Sequence, residues 1–252
     1  MNSVYYLDLI TELVKKELKV RYKNSVLGYL WSVLSPLASA LVFFIAFKIV
    51  IRLKIENYAL FLISGLFCWQ WFVNSVLASS TLFLNNATLI KKVNFPRDSL
   101  VYSMVLSDAI HFVFAIPVIF LFVIIFRQKF SVYLIFLPLV IFVQFFLISG
   151  ISLIISSINL FFRDLERLVL IFTNLLFYLT PIIYSEAMVP QKYKIFIYLN
   201  PMTHFVVLYR GIFLNNRFEY QNFLFACTLS VVFFFIGYKI YKSLQWKFAE
   251  VV

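Results

Sequence analysis

The sequence predicts an all-α protein that crosses a membrane several times, and its composition is the first reason. Hydrophobic residues make up 63% of the 252 residues and charged residues only 13%, whereas an average soluble domain is about 25% charged. The hydrophobic residues gather in runs that reach the ~20 residues a helix needs to cross the hydrocarbon core. These runs are too long and too uniformly apolar for the alternating ~10-residue strands of a membrane β-barrel. Because a helix satisfies its backbone groups within one segment, helices are the expected spanning elements.

Six apolar runs are the predicted transmembrane spans. Each contains few or no formal charges, and the linkers between them hold no soluble domain, no Gly-rich or Ser-rich tether and no low-complexity tract. The predicted spans cover residues 30–51, 58–83, 99–126, 131–160, 167–185 and 221–243. The whole chain, residues 1–252, is therefore predicted to form a single transmembrane domain.

Residues 1–23 predict an amphipathic helix that precedes the first span. On a helical wheel the apolar residues fall in one half and most charged residues in the other. The apolar half consists of Leu7, Leu9, Ile10, Leu13, Val14, Leu18 and Val20. Glu12 and Lys16, and likewise Glu17 and Arg21, stand four apart in the order that favours ion pairs, each worth about 0.3 kcal/mol. Such a helix fits either a segment that lies on the inner leaflet with snorkelling lysines or one that contacts a cytoplasmic partner.

The distribution of Lys and Arg predicts that both termini are cytoplasmic. With the N-terminus inside, 13 of the 22 cationic residues fall on cytoplasmic segments and nine on outer segments, in line with the positive charge that cytoplasmic loops carry. The net charge of +11 would suggest nucleic acid as the partner of a soluble protein. Here the cations flank apolar runs, so they indicate lipid headgroups and membrane topology instead, and no nucleic-acid partner is expected.

With six spans and both termini inside, residues 186–219 lie outside. Within them, residues 195–209 carry no formal charge but are interrupted by Asn200-Pro201. As a helix they would reach about 22 Å into a ~30 Å hydrocarbon core, and Pro201 removes a backbone donor halfway. We therefore predict a re-entrant hairpin of two short helices that caps the outer mouth of a conduit, with a hairpin lying on the membrane surface as the alternative. Its candidate functional residues are Asn200, Pro201, His204, Tyr209 and Arg210.

Several kinds of chemistry have no motif in this sequence. The five glycines are too widely separated to form a phosphate-binding loop of the G-x-x-x-x-G-K type. The two histidines and two cysteines are too far apart in sequence to suggest a metal cluster, and a G-x-S-x-G nucleophile motif is missing. We therefore expect no catalytic residue, metal or cofactor on this chain, and any ATP hydrolysis has to take place on another chain.

Polar and aromatic residues inside the predicted spans are candidates for a translocation path. Asp108 and His111 lie three apart on one face of the third span, where an ionisable group costs ~3 kcal/mol on insertion scales. They fit a proton relay or polar gate, or else a satisfied contact between helices or a shallow site near the end of the helix. In the second span, Trp69, Trp71 and Asn74 combine rings and an amide that could stack on and hydrogen-bond to sugars, although most rings in such a chain face lipid or neighbouring helices.

Four stretches, taken together, resemble one family of membrane proteins. They are RYKNSVLGYLWSVLSPL at 21–37, KKVNFPRD at 91–98, FFRDL at 161–165 followed by LTPIIY at 179–184, and NPMTHFVVLYR at 200–210. Each is weak singly, but they occur in order across essentially the entire chain. On these motifs the sequence is identified as a member of the ABC-2 type export permeases that carry lipid-linked polysaccharides such as O antigen, capsule or teichoic acid, and it is most similar to the O-antigen exporters.

This resemblance implies a homodimer in the bacterial cytoplasmic membrane, paired with two copies of a separate ABC ATPase subunit that binds ATP and Mg²⁺. It implies an undecaprenyl-linked polysaccharide as substrate. It also implies that the N-terminal amphipathic helix is a gate helix and that the turn near residue 95 docks on the ATPase. The residues that would couple the chain to the ATPase are Glu12, Lys16, Lys19, Asn94, Phe95, Pro96 and Arg97.

Two alternatives belong to other functional classes. An ion-coupled secondary transporter would use Asp108 and His111, and internal inverted repeats would favour it, but the sequence shows none. A membrane-embedded glycosyl or acyl transferase needs an acid or base at the interface, for which Arg163, Asp164 and Glu166 are the candidate cluster. A charged turn with helix-capping acids explains that cluster more simply.

Overall fold

The computed structural model describes residues 3–23 and 27–251, and these residues form helices and connecting turns with no strand among them. Residues 1 and 2 of the predicted N-terminal helix and residues 24–26 of the motif at 21–37 lie outside the described residues. The α-helices are α1 (Ser3–Arg21), α2 (Trp31–Phe43), α3 (Tyr58–Asn85), α4 (Ala87–Lys92), α5 (Asp98–Ile125), α6 (Leu137–Asn159), α7 (Leu165–Leu179), α8 (Lys194–Tyr198), α9 (Pro201–Phe213), α10 (Tyr220–Leu244) and α11 (Phe248–Val251).

Five helical segments of the described chain are long and apolar enough to cross a membrane. They are Trp31–Val50, Tyr58–Asn85, Asp98–Ile125, Val132–Asn159 and Tyr220–Lys247. The first joins α2 to a π-helical stretch at Phe44–Val50, and the fourth joins a 3₁₀ turn at Val132–Phe136 to α6. The prediction of an all-α polytopic membrane protein is therefore confirmed. The fifth predicted span is represented by α7, which has 15 residues and is about 22 Å long.

The core of the protein is built around α3. In its most apolar window 78% of the residues are buried, against 11% in the first spanning segment and 17% in the last. Helix α3 contacts α5, α6 and α9 most extensively, and it also contacts α2 and α7. A helix that is apolar on every side is stable where other helices surround it, so the composition of α3 accounts for its central place.

Helices α6 and α10 pack together closely at two glycines. A Cβ atom added to Gly150 would lie 2.5 Å from the backbone of Phe233, and one added to Gly237 would overlap the carbonyl oxygen of Gly150. Small residues at a crossing allow two membrane helices to bring their backbones together and gain dispersion contacts. Gly150 and Gly237 therefore allow the backbones of α6 and α10 to lie in direct contact.

Helix α1 packs along α5 with part of its apolar half. Leu13 and Val14 are buried, whereas Leu7 and Val20 from the same half are 63% and 62% exposed. Near the beginning of α1, burial raises the pKa of the Tyr6 phenol, and the carboxylate of Asp98 at the start of α5 makes the next largest contribution in the same direction. The amphipathic pattern thus positions α1 against the first turns of α5, while Leu7 and Val20 face away from the protein.

Candidate functional site

A polar cavity of about 360 Å³ opens between the end of α1 and helices α2, α3 and α5. Its walls combine aromatic rings, among them Trp31 and Trp71, with an unusual number of polar groups for a site at membrane depth. The polar residues that line it are Arg21, Tyr22, Ser32, Ser35, Gln70, Asn74, Asp108 and His111. Four of the five predicted path residues, Trp71, Asn74, Asp108 and His111, are therefore brought together here.

Asp108 is the buried charge of this cavity, with 1% of its side chain exposed. One carboxylate oxygen accepts a hydrogen bond from Nη1 of Arg21, and the other accepts one from Oγ of Ser75 at 2.7 Å. Burial opposes the charged form of Arg21, but Asp108, with a smaller contribution from Glu17, raises the pKa of the guanidinium above its ordinary value. A buried carboxylate is stable when it is paired and hydrogen-bonded. The last residue of α1 is thus joined directly to α5, and through Asp108 to Ser75 of α3.

A second contact joins the end of α1 to His111. The hydroxyl of Tyr22 lies 3.2 Å from Nδ1 and 3.3 Å from Nε2 of His111. The two rings meet edge to face with their centroids 5.3 Å apart. Asp108 and His111 therefore both contact the segment that leads from α1 toward the first span, and the contacts between helices favour a structural role over a proton relay.

The face of α3 that borders the cavity carries two amides. Gln70 donates a hydrogen bond to Asn74 at 2.7 Å, and Asn74 is exposed although it lies near the middle of an otherwise buried helix. Trp71 shows the cavity only part of its ring, because it is stacked on Phe112 and donates to the carbonyl of Val105. The accessible groups on this face are therefore amides.

Trp69, the fifth predicted path residue, lies outside this cavity. Its ring packs against Phe177 of α7, with centroids 5.8 Å apart, and against Phe72. It is buried and does not line the cavity. The predicted set of path residues therefore divides between two sides of α3.

The segment 194–213 contains two short helices that are separated at Leu199 and Asn200. Asn200 caps α9 by accepting a hydrogen bond from the backbone of Met202, and its amide donates to Oγ1 of Thr180 at 2.6 Å. Pro201 occupies the first helical position, where its missing N–H costs nothing. Asn200 and Pro201 therefore both end α8 and start α9.

His204 joins three parts of this region. Its Nδ1 lies 2.9 Å from Oδ1 of Asn222 in α10, and its Nε2 lies 3.0 Å from the carbonyl oxygen of Tyr198 in α8. The imidazole is stacked between the rings of Tyr198 and Phe225. His204 thus holds α8, α9 and α10 together.

Arg210 is 6% exposed and its hydrogen bonds go to backbone carbonyl groups. It donates to the carbonyls of Phe61, Pro181 and Ile182, and its Cζ lies 3.4 Å from the centroid of the Phe61 ring. The carbonyls at 181 and 182 follow the end of α7, where the chain leaves the helix and helical bonds cannot satisfy them. An arginine has five donors and no acceptor, so it can satisfy several such carbonyls at once.

Tyr209 makes the equivalent connection on the neighbouring side of α9. Its hydroxyl donates to Oε1 of Gln144 at 2.8 Å, and Nε2 of Gln144 donates to the carbonyl of Cys68 at 3.0 Å. All three residues are buried. The Tyr209-Arg210 pair therefore fixes α9 to α3, α6 and the chain after α7.

The turn between α4 and α5 has an exposed side and a buried side. Lys91, Lys92, Val93 and Asn94 are exposed, whereas Phe95 belongs to the hydrophobic core. The carbonyl of Pro96 accepts a hydrogen bond from Oγ of Ser99 at 2.6 Å. Of the predicted docking residues, Asn94 therefore offers an exposed side chain and Phe95 anchors the turn from inside.

The charged residues of α1 that were expected to couple to a partner are exposed, but their predicted pairing is wrong. Glu12 pairs with Lys15 at 2.7 Å, and Lys16 donates instead to Oδ1 of Asn86 at 3.0 Å. Lys19 is also exposed. The other predicted pair is replaced by the bond from Arg21 to Asp108, because the buried carboxylate of Asp108 attracts the cation in a medium of lower dielectric constant than the surroundings of the partly exposed Glu17.

Comparison with known proteins identifies the fold and its class of activity. The sequence model of the family described as ABC-2 type transporter matches residues 8–214. The chain belongs to the ABC-2 type transporter family. It is 40% identical over all 252 residues to two proteins of Klebsiella pneumoniae named O-antigen export system permease protein RfbA, and it covers 97% of each. A protein of the same name from Myxococcus xanthus is 31% identical over 248 residues, which are 97% of this chain and 95% of the relative.

The family resemblance predicted from the four motifs is confirmed, and this ABC-2 permease is a multi-pass membrane component of a transporter. It is not an enzyme, so the transferase alternative is wrong. The cluster considered for that alternative is exposed: Arg163 and Asp164 precede α7, where Asp164 occupies the N-cap position without a side-chain capping bond, and Glu166 lies in the first turn of α7.

Sequence reasoning missed Arg21, Tyr22 and Ser75 as partners of the buried polar groups. The missed signal is a single carboxylate inside a span, which requires a cation and a donor from another helix. The motif that begins with Arg21-Tyr22 contains the cation and the hydroxyl group that contacts His111, but nothing in its spacing connects Arg21 to a position 87 residues away.

Proposed function

We propose that this ABC-2 permease exports undecaprenyl-linked O antigen across the bacterial cytoplasmic membrane. The transporter is a homodimer of this chain with two copies of a separate ABC ATPase subunit, which binds the ATP and Mg²⁺. The names of the relatives from Klebsiella pneumoniae and Myxococcus xanthus support the substrate. The widely spaced glycines support a motor on another chain, since this sequence offers no phosphate loop.

The amides of the half-buried Gln70 and the exposed Asn74 carry this proposal. They lie within a spanning helix and face a cavity that also contains a buried ion pair. Polar groups at that depth are tolerated where they face protein or water, and they are costly against lipid. The cavity therefore borders a hydrated path, and Trp31, which is 51% exposed, offers a ring for sugars to stack on. A glycan longer than the bilayer is thick needs a continuous path of this kind, because one occluded pocket cannot enclose it.

The exposed faces of α7 support both its assignment as the fifth of six spans and the presence of a second copy of the chain. Val169 and Thr173 are buried, whereas most other side chains of α7, including Asn174, are exposed. An amide such as Asn174 can donate and accept hydrogen bonds, so it suits a contact with the same residue in a second protomer. In this proposal α7 crosses the membrane with residues 180–185, whose irregular backbone is satisfied by protein groups, including Arg210.

Residues 186–219 then lie outside, and both termini are cytoplasmic. Helix α9 has 13 residues, or about 20 Å, and is too short to span. All its side chains from Met202 to Phe213 are buried. This fits the second helix of a hairpin that enters the protein from the outer side and returns to the same side. In this position the α8–α9 hairpin closes the outer mouth of the path.

Coupling to the ATPase uses the exposed surfaces at the other end of the molecule. Closure of the ATPase dimer would push on α1 and on the turn that contains Asn94, and the contacts would favour one conformation of the permease over another. Glu12, Lys16 and Lys19 are the exposed charged residues of α1 that are available for this contact.

Reconstitution tests the proposal directly. The purified permease is placed in vesicles with and without its ATPase, with the cytoplasmic side outward, and undecaprenyl-linked O antigen is added. We expect the glycan to become protected from an impermeant glycosidase only when both ATPase and ATP are present. Protection by the permease alone, or protection driven by a proton gradient, would contradict the proposal and favour the ion-coupled alternative.

A further inference from the structure

The chain after α10 bends back toward the turn between α4 and α5. A 3₁₀ turn at Gln245–Lys247 leads into α11, which packs against α4. Trp246 is 64% exposed, whereas Phe248, two residues later, is 0% exposed. We call residues 245–248 the C-terminal bend. Its geometry places one aromatic ring inside the protein and leaves the other outside.

Phe248 contacts three elements at once. Its ring centroid lies 5.0 Å from that of Phe83 near the end of α3 and 5.9 Å from that of Tyr241 near the end of α10. The guanidinium carbon of Arg97 lies 6.0 Å from the same ring. A buried aromatic side chain contributes a large contact area and, with a cation over its face, an additional attraction. Phe248 therefore connects the turn to the cytoplasmic ends of α3 and α10.

Two hydrogen bonds join the same turn to α10 and the bend. Arg97 donates to the carbonyl oxygen of Gln245, and the backbone N–H of Asp98 donates to the hydroxyl of Tyr241 at 3.0 Å. The carbonyl groups at a helix C-terminus lack partners in the helix and carry negative partial charge, so a cation there is favourable. The turn is thus held on its inner side by Arg97, Asp98 and Phe95.

The exposed side of the turn depends on these inner contacts. Val93 and Asn94 are exposed and precede the anchored residues directly. Without the ring of Phe248, Arg97 would lose one of the groups that fix its side chain, and the turn could rotate relative to α3. A surface that docks a partner binds in proportion to the fraction of time it spends in the competent orientation.

We propose that Phe248 is a positioning residue for energy coupling, which holds the turn at residues 93–97 in the orientation that the ATPase binds. This inference rests on the proposed function, because it assumes that the exposed side of the turn contacts the ATPase. It assigns Phe248 and the carbonyl group of Gln245, which do not themselves dock, to the coupling apparatus. They act through Arg97 and the end of α10, and Trp246 has no part in this role.

The test uses the complete complex of permease and ATPase in vesicles. A photocrosslinking amino acid at position 94 reports docking, and glycan transported per ATP hydrolysed reports coupling. We expect Phe248→Ala to lower both the crosslinking and the glycan transported per ATP by about tenfold. This is the effect expected if the turn has the orientation that binds the ATPase in only about a tenth of the molecules. Phe248→Leu should restore most of the loss, and Trp246→Ala, which removes an exposed ring from the same bend, should change neither.

Tyr241→Phe provides a second variant in case Phe248→Ala does not insert or fold. It keeps the buried ring and removes only the oxygen that accepts the bond from Asp98, so it should lower docking and coupling by about threefold without loss of protein. The inference is overturned if folded Phe248→Ala or folded Tyr241→Phe gives wild-type crosslinking and wild-type transport per ATP.

A separate variant distinguishes this failure from a failure of the proposed function. Lys91→Glu with Lys92→Glu changes the exposed charge beside the turn and leaves the inner contacts unchanged. If this double variant weakens docking while the Phe248 and Tyr241 variants do not, only the role of the bend is wrong. If position 94 gives no crosslink to the ATPase in the otherwise wild-type complex, the docking surface itself is wrong and the inference falls with it.

Discussion

Replacing Arg21 with Met tests the ion pair that joins α1 to α5. The change leaves the carboxylate of Asp108 buried, with the bond from Ser75 and without its cation. Removing one partner of a buried pair costs about 3–5 kcal/mol. Because 30% of the Arg21 side chain is exposed, water reaches part of the site, and we expect a loss of about 2–3 kcal/mol.

Replacing the other partner, Asp108, should cost less stability than replacing Arg21. This asymmetry is the sharper part of the prediction. Asp108→Asn keeps a group that can hydrogen-bond to Ser75, and the partly exposed Arg21 can turn toward water. The expected loss is about 1 kcal/mol. Lys15→Met is the matched control, because its pair with Glu12 has side chains that are 66% and 70% exposed and should contribute little.

Thermal unfolding of the permease in lipid nanodiscs measures these differences. For a chain of this size 1 kcal/mol shifts the midpoint by about 2–4 °C, so Arg21→Met should lower it by about 4–12 °C and Asp108→Asn by about 2–4 °C. Equal midpoints for the two variants, or a larger loss for Asp108→Asn, would refute the view that Arg21 is the partner that keeps a buried carboxylate charged.

Other predictions concern function and packing. Deleting residues 1–20 should leave ATP hydrolysis in the complex but abolish glycan export, measured together in vesicles. Export should persist in the double variant Asp108→Asn and His111→Gln, because no proton relay is required. Arg210→Met should lower the unfolding midpoint by more than about 6 °C, because several buried carbonyl groups lose their donor and each loss costs about 1–3 kcal/mol. Arg210→Lys should recover only part of this loss of stability. Gly237→Ala should destabilise the permease by at least about 2 kcal/mol, because the added methyl group meets backbone of α6 that cannot move aside.

Each of these has a result that contradicts it. Normal export by the 1–20 deletion would show that α1 does not transmit the action of the ATPase. Loss of export in the folded Asp108 and His111 double variant would revive the ion-coupled transporter. Wild-type stability of Arg210→Lys would mean that a point charge is sufficient at that site, and wild-type stability of Gly237→Ala would show that α6 and α10 can separate at little cost.

The sequence predicts the spanning helices well because length and apolar composition determine them almost alone. The five spanning segments follow from runs of hydrophobic residues, and the break at Asn200-Pro201 follows from proline chemistry. The same chemistry accounts for the early end of α7. The predicted span continues to residue 185, but α7 ends at Leu179 and Thr180 is extended with ψ 132°, because the residue before Pro181 avoids the helical region.

Partnerships between distant residues could not be predicted in this way. A helical wheel pairs Glu17 with Arg21 because they are neighbours on one helix, whereas the folded chain offers Arg21 a carboxylate in a medium of lower dielectric constant. The C-terminal bend gave no signal in the sequence, since burial of Phe248 and exposure of Trp246 depend on where α3 and α10 end. Local patterns identify helices, and only the packed structure shows which side chains meet.

Arg210 has a consequence for how homologous sequences can diverge. Its hydrogen-bond partners are main-chain oxygen atoms, and every amino acid provides one, so a mutation such as Ile182 to another residue leaves the acceptor in place. Evolution can therefore retain this arginine without a compensating acidic position. The ion pair at Asp108 is different, because both of its members are side chains and a viable change at one requires a matching change at the other. Covariation among relatives should therefore link positions 21 and 108 and leave position 210 without a correlated partner.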